Sequence, residues 1–373
     1  MKLIKTSWLL FMSLMVSFTS CIKDEAPNAE ADITACKTSS DILLRSPIIT
    51  NERVTFYVKD WVDVTSQAPE FSLTEGATIS PASGTARDFS TPQTYTVTSQ
   101  DGKWKKTYTV EYLFNELLTE YHFENVKYYS YKDEESGQEK QFYQIFYNKR
   151  VDGNDMEWGS GNAGFMITNS SAPATDYPTC QAADGYKGKC VKLTTRSTGP
   201  FGVAFRAPIA AGNLFIGIFE VNMTNMAKST HFGAPFTYEP KGLVGYYKYK
   251  AGDKYTDASN KEVAGKKDDF DIYAVFYEVT KDVQYLDGTN SLTSDRIVSI
   301  ARLTDKKETN VWTRFVIPFV LKDGKSIDPV KLKNGQYNIA IVMSSSIDGA
   351  VFNGAVGSTL YVDEMRLFYE SDK

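Results

Sequence analysis

The chain has 373 residues with 41 basic and 46 acidic side chains, a formal net charge of −5. That balance, with no clustered basic face, argues against a nucleic-acid partner, and the length is that of two domains, each able to bury a core. With 23 Tyr and 22 Phe, abundant Thr, Val, Gly and Ser, and no long helical periodicity, the composition predicts an all-β fold. In chain order, Lys2 and Lys5 precede an apolar run at residues 8–16 that is broken by Ser13. So short a run cannot cross a bilayer core, which needs ~20 helical residues, and the layout is that of a secretory signal over residues 1–20.

Phe18-Thr19-Ser20-Cys21 resembles the lipobox of bacterial lipoproteins. The resemblance implies that Cys21 carries lipid and becomes the new N-terminus; two or more acyl chains anchor a protein stably to a membrane. The alternative is an ordinary signal with an incidental cysteine. Residues 21–31 are polar and aperiodic, a flexible tether. The acidic residues there (Asp24, Glu25) are similar to the surface-export signal of Bacteroidetes lipoproteins, which implies outer-membrane attachment and display at the cell surface.

A first module is expected over residues 32–114. Residues 54–58 (VTFYV) read as a strand. Residues 94–99 and 104–110 flank Asp101-Gly102 and predict a hairpin, with Tyr95, Val97, Tyr108 and Val110 on one face. Asp88-Phe89-Ser90-x-Pro92, Tyr95-Thr96-Val97 and Asp101-Gly102 with residues 106–110 together resemble a small immunoglobulin-like sandwich of Bacteroidetes surface proteins, which implies a spacer or contact role. A second module is expected over residues 118–373. Strand-like runs at 141–146, 190–195, 214–222, 270–278, 295–302, 312–321, 336–344 and 358–369, with Gly/Pro/Asn/Asp-rich loops between them, predict a jelly-roll β-sandwich. Residues 245–254 read as strand and loop despite three lysines. Residues 132–141 form the clearest stretch of helical propensity, without an apolar face.

Ala211-Gly212-Asn213-Leu214-Phe215, Gly233-x-Pro235-Phe236, Pro240-Lys241-Gly242-Leu243-x-Gly245-Tyr246-Tyr247-Lys248-Tyr249, Asp271-Ile272-Tyr273-Ala274-Val275-x-Tyr277-Glu278, Trp312-x-x-Phe315 and Gly357-Ser358-x-Leu360-x-Val362-Asp363-Glu364 resemble the putative carbohydrate metabolism domain of Bacteroidetes lipoproteins. This implies a jelly roll like those of carbohydrate-binding modules. Fold alone gives no activity.

A sugar site needs aromatic platforms and planar polar groups. The candidates are Trp158, Tyr246, Tyr247 and Tyr249, with Arg206 and Asp271 as polar partners; the bland alternative is that these rings pack the core. Glu124 and Asp363 resemble the terminal-strand acids that hold calcium in carbohydrate-binding sandwiches, although Asp363 is equally suited to bond a backbone amide. Cys180 and Cys190 bound a nine-residue loop that a disulfide would close in an oxidising compartment. His122 and His231 lack metal-ligand spacing. Asp268-Asp269-x-Asp271 reads as a solvated strand entry. The leading expectation is a glycan-binding surface lipoprotein; the alternatives are a structural or adhesive protein-binding lipoprotein and a glycoside hydrolase, which needs two facing carboxylates.

Overall fold

The computed structural model describes residues 28–43, 46–59, 61–114, 117–132, 137–150, 155–280 and 282–370. Cys21 and the expected signal, residues 1–20, lie outside the described residues. Among those described, no helix is long and apolar enough to cross a membrane. The protein is all-β, a small N-terminal module followed by a larger sandwich.

In the N-terminal module the strand pair Gln93–Thr98 and Lys105–Phe114 forms the expected hairpin, with Tyr95 opposite Tyr108 and Gly102 in the left-handed region at φ +71. Period-2 alternation sends Tyr95, Val97, Tyr108 and Val110 into one core with Val54, Phe56 and Phe89. Strand Arg53–Val58 runs parallel to Lys105–Phe114 and completes a five-stranded sheet with Ile48–Ile49 and Thr78–Ser80. Strands Ile33–Lys37 and Glu70–Leu73 pair as a second layer.

The larger module packs two six-stranded antiparallel sheets. The first orders Thr179–Ala182, Cys190–Thr194, Thr359–Glu370, Glu239–Lys250 and Thr309–Pro318, with Glu120–Tyr121 beside Thr359–Glu370. The second orders Asn213–Phe215, Tyr337–Ser344, Asp271–Glu278, Ile297–Arg302 and Val320–Leu321, with Ala234–Pro235 against Tyr337–Ser344. Between them Leu243, Tyr247, Tyr249, Leu360 and Val362 of the first sheet meet Leu214, Ile272, Ala274, Phe276, Ile341 and Met343 of the second. Alternation then turns Phe215, Tyr273, Val275, Tyr277 and Val342 to the outer face of the second sheet, where loops cover much of them as a further cluster.

Three local features add to or change the sequence reading. The ends of the polar stretch 132–141 belong to strands Val126–Lys132 and Glu139–Lys149, which pair with each other, in keeping with a run that has no apolar stripe to bury as a helix. The run 214–222 breaks at Ile216 into Asn213–Phe215 and Gly217–Phe219, which pair with different partners. Two short helices, Asn162–Asn169 and Gly199–Ala204, occupy the loop regions, and both border the cleft described next.

Candidate functional site

The outward positions of the second sheet floor a cleft of about 670 Å³, a size typical of ligand pockets. Phe215, Asp271, Tyr273, Val342 and Ser344 line its base; the two helices and the loops around residues 223–230, 288–293 and 346–352 form its walls. Pro200 pre-sets the start of helix Gly199–Ala204. One turn in, Gly202 lies so close to Thr198 Oγ1, just before the helix, that a Cβ would fall 2.0 Å away. The helix therefore sits tight on the loop and presents Phe201 and Phe205 at the rim. Their rings lie 4.8 Å apart and are 55% and 66% exposed. Arg206 follows with φ +57, its amide bonded to Val203 O, and its Nη2 donates to Ser259 Oγ at 3.3 Å. Phe352 also holds a left-handed conformation and also lines the cleft. Such conformations are costly for side chains larger than glycine and concentrate at functional sites.

Asp271 is buried at the cleft floor, and Arg302 clamps it through Nε (3.0 Å) and Nη2 (2.7 Å). Burial pushes its carboxyl above the ordinary carboxylate range, and the guanidinium pulls the other way. The Tyr273 hydroxyl donates to Ser291 Oγ at 2.9 Å. Asp268, under the rim, accepts from Ser346 Oγ, Ser358 Oγ and the Ala355 amide through one oxygen. The triplet 268, 269, 271 is thus no solvated strand entry. Two of its acids are buried with dedicated partners, and Asp269 pairs with Lys306 at 3.1 Å.

The six residues expected to bind ligand part company. Arg206 and Asp271 line the cleft. Trp158 is a core residue, 3% exposed, edge-on to Tyr121 at 5.0 Å, with its indole N–H donated to Asn148 Oδ1 at 2.9 Å. Tyr247 and Tyr249 are buried against Phe270. They share one face of their strand, as alternation requires, and it is the core face. Tyr246 points the other way, onto the solvent side of the first sheet, where it stacks on Tyr186 at 3.7 Å. Phe201, Phe205, Phe352 and Arg302 were missed. Phe201 and Phe205, four residues apart behind Gly199-Pro200, carry the one local hint, an apolar pair in a short loop segment.

The donor set at Glu124 and Asp363 does not suit calcium. Glu124 Oε1 accepts from the Lys189 amide (2.9 Å), Asp363 Oδ2 from that of Lys187 (2.9 Å) and Oδ1 from that of Glu364 (2.8 Å). A cation there would face the positive ends of amide dipoles. Among the described residues no three His, Cys, Asp or Glu side chains gather as metal ligands. Burial drives the Asp363 carboxyl up to about 6, ahead of the opposing backbone hydrogen bonds. Cys180 and Cys190 remain free thiols. The ladder sets Cys180 opposite Lys192 and Cys190 opposite Ala182, so the two are diagonal neighbours, roughly 7–8 Å apart, beyond the ~4.4–6.8 Å Cα separation usual for a disulfide. Burial lifts the Cys190 thiol to about 12 and raises Cys180 as well, which keeps both unreactive.

Fold and cleft define a two-module β protein whose larger domain is a sandwich with a ligand-sized depression on one sheet. The chain matches the putative carbohydrate metabolism domain over residues 122–368 and the SGBP N-terminal domain over residues 45–111. A crystal structure from Bacteroides thetaiotaomicron, described as a putative glycoside hydrolase, is 52% identical, covers 94% of this chain and 100% of its own, and superposes with a TM-score of 0.81. A second so described, from Bacteroides vulgatus, is 44% identical over 68% of this chain and 98% of its own, with a TM-score of 0.62. No curated protein matches by sequence. The chain belongs to the putative carbohydrate metabolism domain family.

Proposed function

We propose that the protein binds a carbohydrate in the cleft on the second sheet, and that it does so at the outer membrane, tethered through lipid on Cys21. The observation that carries the binding reading is the exposed Phe201–Phe205 pair beside Arg206. The rings offer apolar faces to the C–H surface of a sugar, and the guanidinium, with the side chains of Thr224, Thr289 and Asn225 in the same lining, offers groups to its hydroxyls. Family membership supports a carbohydrate role, and the lipobox-like segment supports the anchor.

The description of two relatives as putative glycoside hydrolases favours a second reading. Such enzymes need two carboxylates about 5–9.5 Å apart. Asp271 is the single carboxylate among the described residues lining the cleft, and Arg302 holds both its oxygens. Binding is therefore the reading the geometry supports better. The test is a broad glycan array probed with residues 22–373, alongside Phe205→Ala and Arg206→Ala. A sugar-specific signal that both variants lose, with unchanged melting temperature, supports the proposal. Silence across plant, host and microbial glycans overturns it and favours a protein-binding role. Release of reducing ends from any bound glycan would establish hydrolysis instead.

A further inference from the structure

The solvent side of the first sheet carries a second arrangement that the cleft does not use. Register places Lys192 opposite Tyr361 and Tyr361 opposite Lys248, and the bulge in Thr309–Pro318 brings Trp312 alongside Lys248. The result is a row of cation, ring, cation, ring across four strands. Lys248 Nζ lies 4.5 Å from the Trp312 ring and 4.9 Å from that of Tyr361, and Lys192 Nζ lies 6.0 Å from Tyr361. Four strands at ~4.8 Å spacing span about 14 Å, room for an oligosaccharide rather than one ring.

A second tier lies beside the row. Arg314 is the cross-strand partner of Tyr246, and Tyr186, 49% exposed, lies flat on Tyr246 and 6.5 Å from Trp312. The loop that delivers Tyr186 is pinned by its backbone: the Lys187 and Lys189 amides donate to Asp363 and Glu124. Gly188 turns it at φ +69, where a Cβ would meet Glu124 Oε1 at 2.1 Å. The two acids with a calcium-like sequence pattern thus position an aromatic ring. Among the described residues, Lys192, Lys248 and Arg314 have no carboxylate within ion-pair distance, and Glu364 near Tyr186 is engaged by His122 at 2.8 Å. Cross-strand cation–π contacts stabilise a sheet face, but they do not call for three uncompensated cations on one face of an acidic chain.

We infer that this face is a second carbohydrate site, selective for an anionic glycan. Uronate or sulfate groups sit on Lys192, Lys248 and Arg314, and sugar faces stack on Tyr186 and Trp312. The site is independent of the cleft. The experiment measures binding of residues 22–373 to an oligogalacturonide, its fully methyl-esterified form, a sulfated oligosaccharide and vesicles of anionic phospholipid.

The expected result is binding to one or both acidic sugars, loss of affinity on esterification, and weakening of about tenfold when salt rises from low to several times physiological. Lys248→Met, which keeps the aliphatic stem, and Trp312→Ala should each weaken binding by about tenfold without changing the melting temperature. Preference for the uronate or the sulfate arm names the source of the charge. Equal affinity for the esterified form, binding to vesicles and to no acidic sugar, or no binding at all overturns the inference. So does acidic-sugar binding that Phe205→Ala abolishes and Lys248→Met spares, because that would place the ligand in the cleft.

Discussion

Trp158→Ala separates a structural ring from a ligand-contacting one. The indole is almost fully buried between Tyr121 and Phe123 and donates its N–H to Asn148. Truncating a buried Trp leaves a cavity and costs about 3–5 kcal/mol; the orphaned Asn148 carbonyl, near the surface end of its strand, adds little because water can reach it. For a domain of about 250 residues each kcal/mol lowers the melting temperature by roughly 2–4 °C, so the fall should be on the order of 10 °C. The assay is thermal or urea unfolding followed by far-UV circular dichroism, with Phe205→Ala as comparison. Phe205 is 66% exposed, and its removal should stay within about 0.5 kcal/mol of wild type. A Trp158→Ala protein that melts like wild type and has lost glycan binding would refute the core assignment.

Asp363 supplies a pH test. Its folded value of about 6 lies above the ~3.9 of an unfolded Asp, so the folded state binds the extra proton between those values. The cost of the buried charge, on the order of 3 kcal/mol, is present above pH 6 and is relieved as pH falls towards 4. Wild type should therefore gain stability relative to Asp363→Asn between pH 7.5 and 4.5, and a pH-independent difference would contradict this. Arg302→Ala strands the buried Asp271 carboxylate and should cost about 3 kcal/mol at pH 7.5; with the guanidinium gone, burial alone raises that carboxyl, so the loss should shrink as pH is lowered, both read from urea midpoints. Calcium and EDTA should leave the melting temperature unchanged, and a rise of several degrees with calcium would restore a metal site. Thiol titration of the denatured, unreduced residues 22–373 should report Cys36, Cys180 and Cys190 as free; fewer equivalents would mean that a disulfide forms.

Local chemistry made much of the architecture legible from the sequence. β-branched and aromatic alternation marked most of the main strands, and Asp101-Gly102 marked its hairpin, because period-2 patterning and left-handed turns are properties of a few adjacent residues. The sequence also showed that Tyr247 and Tyr249 share a face opposite Tyr246. It could not say which face is buried, since that depends on where the second sheet packs, and a one-residue change of register would exchange them. The parallel pairing of Arg53–Val58 with Lys105–Phe114 matches Arg53 to Thr109 and Val58 to Phe114, far apart in sequence, and leaves no local trace. Trp158 sat in a loop-like run, and its burial was decided by Tyr121 and Phe123, more than thirty residues earlier in the chain. The roles of Glu124 and Asp363 turned on which backbone groups met them, amides rather than carbonyls. The cleft draws its lining from segments between residues 161 and 352, and the cation–aromatic row draws on four strands. Composition and periodicity determined that the chain folds as β modules; the convergence of distant segments, which only packing sets, decided where its exposed aromatic and charged groups meet.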